Sequence, residues 1–287
     1  MNQCDLAGKF DAQRPRLRSV AYRVRGSLSE ADDAVQEGWL RLQRADADAI
    51  DDLTGWLTTV VARICLNAIR YRRVHPEEPL DGLRPEPIIS TQATGDPEHE
   101  ALLADAVGIA LQVVLESLSP AERLAFVLHD MFAVPFDEIA DLIERSPDAA
   151  RQLASRARRR VRGAAPAPEP DLARQRRIVD AYFAAAREGD LEALVAVLGP
   201  DVVARSHTRR GAFELRGAEK VARAATVGRR LATSIRPALI NGIAGAVAFD
   251  GESPFAILAF TIVNDRAITI DIFNDHELVP RLVRSIA

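Results

Sequence analysis

Cysteine, histidine and aromatic residues are scarce in this chain of 287 residues. Its two cysteines, Cys4 and Cys65, form neither the close spacing of a metal site nor a disulfide framework. Its five histidines are scattered, so neighbours in sequence supply no set of zinc ligands. The sequence therefore predicts reduced cysteines, no metal and no cofactor.

Long apolar runs and a strong net charge are also absent. No stretch of about 18 apolar residues occurs, and the N-terminus carries Asp5 and Lys9 without an apolar run, so we expect neither a membrane span nor a signal peptide. The formal net charge is −4, so any nucleic-acid-binding surface must be a local basic patch. We expect a cytoplasmic protein without membrane contact.

Composition divides the chain into three predicted domains and two linkers. Residues 5–74 and 99–163 carry apolar residues at helical spacing. Residues 75–98 are rich in proline and polar residues, and residues 164–170 in alanine, proline and glutamate, which is typical of linkers. Residues 171–287 begin with two helices and continue with short runs of β-branched and aromatic residues, which predicts an α+β domain.

Five strands are predicted in the last domain: Val202–Ser206, Ile235–Ile240, Ala244–Phe249, Phe255–Val263 and Ala267–Phe273. The turn residues between Val263 and Ala267 predict a hairpin that joins the last two strands.

The most informative segment runs from Phe136 to Arg162. Two short helices separated by about four residues match a helix-turn-helix, with Ser146-Pro147-Asp148 starting the second helix. The candidate DNA-contacting residues of this second helix are Ser146, Asp148, Arg151, Gln152, Ser155, Arg156, Arg158 and Arg159. A solvated basic surface, or a surface for an acidic partner, is the alternative interpretation.

An acidic amphipathic helix is predicted around residues 30–42. Its candidate functional residues are Asp32, Asp33, Gln36 and Glu37, and Trp39 is expected in the core. Because charged helix faces are common, a solvated acidic surface explains the pattern equally well when this helix is considered alone.

A third segment, from Trp56 to Arg73, predicts a helix with one apolar face. Its candidate DNA-contacting residues are Trp56, Arg63, Asn67, Arg70, Arg72 and Arg73. An aromatic residue beside cations suits single-stranded DNA, where bases stack and phosphates pair with charge. Alternatively, the arginines complement the helix dipole and Trp56 belongs to the core.

In this order, the three segments resemble an extracytoplasmic-function sigma factor of the sigma-70 family. The resemblance covers about residues 8–163 and includes Leu118-Ser-Pro-Ala-Glu-Arg123. It implies a multidomain protein with two all-α sigma domains, one of three or four helices and one with a helix-turn-helix. It also implies that the acidic helix binds core RNA polymerase, that the residue 56–73 helix binds the melted −10 element of promoter DNA, and that the residue 147–162 helix reads the −35 element.

Residues 171–287 resemble a SnoaL-like domain of the cone-shaped NTF2-like class, which a subgroup of these sigma factors carries. Val202-Val-Ala-Arg-Ser206 followed by Leu215-Arg-Gly-Ala-Glu-Lys-Val221 is similar to the subgroup's pattern, whereas 206–211 and 274–278 depart from its motifs. The resemblance implies a domain that modulates sigma activity in cis. Tyr182, His207 and Asp271 are the candidates for lining a small-molecule pocket there. The sequence does not indicate an anti-sigma partner.

Two other functions compete with this interpretation. One is a stand-alone helix-turn-helix regulator whose C-terminal domain senses a small molecule. The other is an enzyme, an isomerase or hydrolase, with His207, Asp271 and Tyr182 as the candidate acid–base groups. The sequence shows neither a paired base nor an oxyanion donor, so we predict a sigma factor that is not an enzyme.

Overall fold

A computed structural model describes residues 3–74, 86–90, 109–164, 169–208, 211–228 and 231–284. The chain divides into two compact units. Helices up to Ala164 make up the first unit, apart from residues 87–90 and 109–110, which group with residues 169–284 in the second unit. Most of the two predicted linkers lies outside the described residues.

Three long helices open the first unit: α1 (Gln3–Arg25), α2 (Leu28–Arg44) and α3 (Leu53–Val74). They pack against one another around buried side chains that include Leu17, Val20, Leu42, Leu57, Val61 and Leu66. Helix α2 begins at Leu28, two residues before the predicted range 30–42, because the Ser27 hydroxyl accepts from the Glu30 amide and caps the helix.

The following helices of the first unit are α4 (Ile109–Ser117), α5 (Pro120–Phe126), α6 (Phe136–Ile143) and α7 (Pro147–Ala164), with a π-helical turn at Val127–Met131. Helix α5 starts at Ser119-Pro120, where Ser119 and Glu122 form a reciprocal capping box. The predicted start at Ser146 is confirmed, because its hydroxyl accepts from the Ala149 amide at 3.2 Å.

Helices α4 and α5 cap the end of helix α1. The last carbonyls of a helix have no partner within the helix. Gln112 Nε2 donates to the carbonyls of Tyr22 and Arg23, at 3.5 and 3.4 Å. Arg123 Nη1 donates to the Val24 carbonyl at 2.9 Å. Residues about 90 positions apart in sequence therefore hold the two sets of helices together.

The second unit is an α+β domain, as predicted. Helices α8 (Leu172–Glu188), α9 (Leu191–Val197) and α10 (Ala218–Gly228) belong to it, with a short α11 (Leu278–Arg284) near the C-terminus. Its strands are β1 (Ile89–Ser90), β2 (Leu198–Thr208), β3 (Gly211–Arg216), β4 (Ser234–Ile240), β5 (Ile243–Asp250), β6 (Ser253–Val263) and β7 (Arg266–Phe273). They form one sheet in the order β1-β4-β5-β6-β7-β2-β3, in which β2 and β7 run parallel.

The five predicted strands and the predicted hairpin are confirmed. Strands β6 and β7 are antiparallel, and the turn between them places Asn264 and Asp265 at φ 50° and 60°. Both residues tolerate this left-handed conformation better than most. The sequence pattern missed β3, α10 and α11.

Strand β1 lies inside the segment expected to be a polar linker. Ile88 and Ile89 are buried, and β1 pairs with the edge of β4. Asn241, in the β4–β5 turn, holds the segment twice: its side-chain oxygen accepts from the Ile88 amide and its own amide donates to the Ile88 carbonyl, both at 2.7 Å. A two-residue strand is too short for a periodicity pattern to detect.

Candidate nucleic-acid interface

Helix α7 has a buried face of small residues and an exposed polar face. Ala150, Ala154 and Ala157 are fully buried and recur at helical spacing, so α7 lies close to α5 and α6. Most of the predicted −35 residues share the opposite, exposed side: Ser146, Asp148, Arg151, Gln152, Ser155, Arg156 and Arg159. The remaining one, Arg158, is half-buried.

Carboxylates of the same unit contact several of these arginines. Arg158 Nε lies 2.7 Å from Asp130 Oδ1. Arg151 Nη1 lies 2.6 Å from Asp148 Oδ1, one helical turn away, in a pair that is largely exposed. Exposed pairs contribute roughly 0–1 kcal/mol, so Arg151 can exchange Asp148 for a DNA phosphate at little cost.

Glu122 is the most connected carboxylate near α7. Arg156 Nε donates to its Oε1 at 3.1 Å, and Arg160 Nη1 lies 3.5 Å from its Oε2. Burial acts to raise the pKa of Glu122, but the hydrogen bonds from Ser119 and Arg156 and the positive charge of Arg160 outweigh burial, and the pKa is lowered. Neither Glu122 nor Asp130 was among the predicted site residues, although the Ser-x-x-Glu capping pattern marks Glu122 in the sequence.

Helix α3 presents a polar face of its own. Arg63, Asn67 and Arg70 are exposed and recur at helical spacing. Trp56 is half-buried, four residues into the helix. Arg72 and Arg73 belong to the last turn of α3, and their side chains lie outside the described part. The pattern is consistent with a DNA-binding face opposite the apolar core.

Two of the four predicted polymerase-contacting residues of α2 form ion pairs with arginines of the same unit. Asp32 accepts from Arg18 at 2.6 and 3.0 Å, and Glu37 accepts from Arg41 at 2.9 Å. Asp33 and Gln36 are exposed.

A surface groove runs beside this face of α2. Its lining residues are Ala7, Phe10, Asp11, Arg14, Asp32, Val35, Gln36 and Trp39. Trp39, expected in the core, is half-buried and lies 4.9 Å from Phe10 between ring centroids. The indole thus contacts the Phe10 ring and also lines the groove.

In the second unit, the structure brings together two of the three predicted pocket residues. His207 Nε2 lies 2.9 Å from Asp271 Oδ1, both are buried, and the imidazole stacks on Phe273. Tyr182 lies elsewhere, in the core between the helices and the sheet, with Phe260. Burial raises the pKa of the Tyr182 hydroxyl.

The strand alternation explains this separation. Val202 and Ile270 belong to the helix-facing core, and side chains of a strand alternate between its two faces. His207 and Asp271 therefore face the opposite side of the sheet from Tyr182, and the expectation of one pocket lined by all three is wrong. The sequence shows period-2 patterning but not which face a helix covers.

Comparisons with known proteins identify the two helical regions of the first unit and relatives of the chain. Residues 10–74 match sigma-70 region 2 and residues 109–161 match sigma-70 region 4. The chain is 41% identical over 251 residues to the ECF RNA polymerase sigma factor SigJ of Mycobacterium tuberculosis, covering 83% of this chain and 79% of that protein. It is 36% identical over 222 residues to the probable ECF sigma factor SigI of that species, covering 77% and 76%.

The crystal structure of M. tuberculosis SigJ aligns with 95% of this chain and 97% of that one, at a TM-score of 0.77 and 34% identity. The chain therefore belongs to the extracytoplasmic-function sigma factors of RNA polymerase, a family of transcription initiation factors. This membership decides against the stand-alone regulator. Within the described ranges, no helix is long and apolar enough to cross a membrane, and no group of three or more ligating side chains could hold a metal.

Proposed function

We propose that three helices of this sigma factor each present a separate binding surface. Helix α2 and its groove bind core RNA polymerase, the exposed face of α3 binds the melted −10 element, and the exposed face of α7 reads the −35 element. The supporting observation is that most of the described contact residues predicted for each helix are exposed on one side, while apolar residues of the same helix are buried on the other. A protein that works with RNA polymerase works in the cytoplasm, which is the location we propose.

The chemistry of each face suits its target. Asp33 and Gln36 offer acceptors to a basic surface of polymerase. On α3, Arg63 and Arg70 supply charge for phosphates and Asn67 can bond to a base edge. On α7, Arg151 and Gln152 lie in the first turns of the helix, where recognition helices commonly contact bases.

Three paired alanine variants test this division in the full chain. Asp33→Ala/Gln36→Ala should weaken binding to core polymerase, measured by sedimentation. Arg63→Ala/Asn67→Ala should retain core binding but reduce promoter melting, measured by permanganate reactivity. Arg151→Ala/Gln152→Ala should weaken duplex binding by the holoenzyme at least tenfold.

Arg177→Ala, exposed in the second unit, serves as the control for all three measurements. Equal losses in all four variants would contradict the assignment of separate roles to the three helices.

We also propose that the C-terminal domain restrains transcription by holding the chain between the two sigma regions. The support is strand β1, which adds residues of that connecting segment to the domain's sheet and is fixed by Asn241. The connecting segment can then reach outward only from this fixed point on the sheet, because an extended residue spans at most about 3.3–3.6 Å.

A matched pair of variants tests the restraint. Asn241→Gly removes the side-chain oxygen that accepts from the Ile88 amide. Glycine readily adopts the φ of 50° that Asn241 has in this turn. Asn264→Gly makes the same change in the β6–β7 turn, away from β1. We expect Asn241→Gly to raise promoter-specific transcription in vitro by roughly threefold or more, whereas Asn264→Gly leaves it unchanged. Equal rates for both variants and the wild type would remove the restraint.

A further inference from the structure

Glu122 occupies an unusual position beneath the exposed face of α7. Its side chain is nearly buried, yet two arginines of α7 that are one helical turn apart, Arg156 and Arg160, reach it from the solvent side. Its other contacts are to Ser119, whose amide and hydroxyl donate to Oε2 at 3.1 and 2.8 Å. The carboxylate is therefore fixed by the start of α5 before it meets the arginines.

The contact with Arg156 leaves part of the guanidinium unused. Arg156 donates to Glu122 through Nε, so its two terminal nitrogens remain for another acceptor. The Arg156 side chain stays 47% exposed in this pair. The acceptor geometry that suits two terminal guanidinium nitrogens is that of a guanine edge or a phosphate.

An arginine that is already fixed on one side loses less conformational freedom when it binds DNA. The negative charge of Glu122 also offsets the attraction that Arg156 and Arg160 exert on every phosphate. That attraction supplies most non-specific binding. Both effects favour a correctly placed base contact over indiscriminate phosphate contacts.

We propose that Glu122 is a positioning residue that sets the sequence selectivity of α7 by holding Arg156 and Arg160. This rests on the proposed role of α7 in reading DNA. Glu122 itself touches no DNA in this proposal; it acts through the two arginines.

The central variant is Glu122→Gln in the full-length protein bound to core polymerase. Glutamine also serves in capping boxes, so the start of α5 is retained while the charge is lost. Ser119→Ala is the matched control, because it removes the capping hydroxyl, while the backbone amide of residue 119 still holds the carboxylate beside the arginines. Asp130→Asn makes the equivalent change at Arg158. Thermal unfolding of each variant measures its effect on folding.

The probe is a randomised duplex DNA library. Wild-type holoenzyme first enriches a pool from the library, and each variant is then measured on the enriched and the unselected pools over a range of salt. For Glu122→Gln we expect tighter binding to the unselected pool, a salt slope steeper by about one, and an enriched-to-unselected affinity ratio about five- to tenfold lower. Ser119→Ala should lower the melting temperature and keep the ratio.

Two results would overturn the proposal: an unchanged ratio for Glu122→Gln, or an equal fall of the ratio for Ser119→Ala, which would make Glu122 only a helix cap. Asp130→Asn tests whether the fall of the affinity ratio is specific to Glu122. An equal fall of the ratio for Asp130→Asn would overturn the specific role of Glu122. Failure of the underlying role of α7 looks different, because the wild type and Arg151→Ala/Gln152→Ala would then show the same enriched-to-unselected ratio.

Discussion

The surroundings of Glu116 disfavour the ionised form of its carboxyl group. It lies against Gly26, whose φ of 79° and lack of a side chain make room for the carboxylate. Burial raises the pKa of Glu116 to about 8, with Arg123 lowering it and the nearby Glu30 raising it. Glu30 in turn pairs with Arg25 at 2.9 Å. Two acids and two arginines thus share the region where α1 ends.

A raised pKa makes the folded state weaker at high pH. Because the folded pKa of Glu116 is about 8, its favourable contribution is fully present below the unfolded value of about 4.3 and is lost as pH rises through 8. We expect Glu116→Gln to match the wild type in urea unfolding near pH 4, and to be more stable by about 1–3 kcal/mol near pH 8. A constant difference across this range would show that Glu116 does not titrate as its burial implies.

Helix α1 depends on partners from α4 and α5 for its last carbonyls. Arg123 is 5% exposed and donates to the Val24 carbonyl. Arg123→Met keeps the length and loses the donor and the charge. We expect the free energy of unfolding to fall by about 2–4 kcal/mol, since the change strands a buried acceptor and removes the arginine whose charge lowers the pKa of Glu116.

Arg145→Met is the comparison for this measurement, because Arg145 is exposed in the turn before α7. It should change stability by less than about 0.5 kcal/mol. A loss for Arg123→Met no larger than that of Arg145→Met would mean that the cap contributes little.

The close packing of α7 depends on alanine. Ala154 is fully buried between α7 and the helices beneath it. Ala154→Leu adds volume where none is available, so we expect a loss of about 1–3 kcal/mol in thermal unfolding together with weaker DNA binding, because α7 must move outwards. Ser155→Leu, on the exposed side, should leave stability within about 0.5 kcal/mol. Equal stability of the two variants would mean that α7 is packed loosely.

At the scale of the whole molecule, a C-terminal domain follows the two sigma regions. Comparing the full chain with residues 1–165 in promoter-specific transcription tests what this domain adds. We expect the shorter protein to initiate at least about threefold faster, because β1 then has no sheet to join and the connecting segment regains its reach. Equal rates, with equal binding to core polymerase, would leave the C-terminal domain without a role in initiation.

Much of the architecture could be predicted because its signals are local. Ser119-Pro120 and Ser146-Pro147 start their helices through contacts within three residues. The Asn264-Asp265 turn closes its hairpin in the same way. Arg63, Asn67 and Arg70 were predicted to share one helix face, and this follows from the helical period alone. Each of these features needs only neighbours in sequence.

The features that could not be predicted depend on distant residues. Ile88 is held in its buried position because its backbone amide donates to the side-chain oxygen of Asn241, 153 positions later in the sequence. Tyr182 and His207 face different sides of the sheet because the helices cover only one of them.

By itself, the sequence determined the class of the protein, because the residue patterns that define helices, caps and a helix-turn-helix are local. Only the tertiary structure decided which charges are already paired. Arg156 was predicted to face DNA, but its contact with Glu122 depends on how α5 and α7 pack. The strength and selectivity of a charged group depend on such neighbours, because electrostatic energy falls with distance and rises with burial.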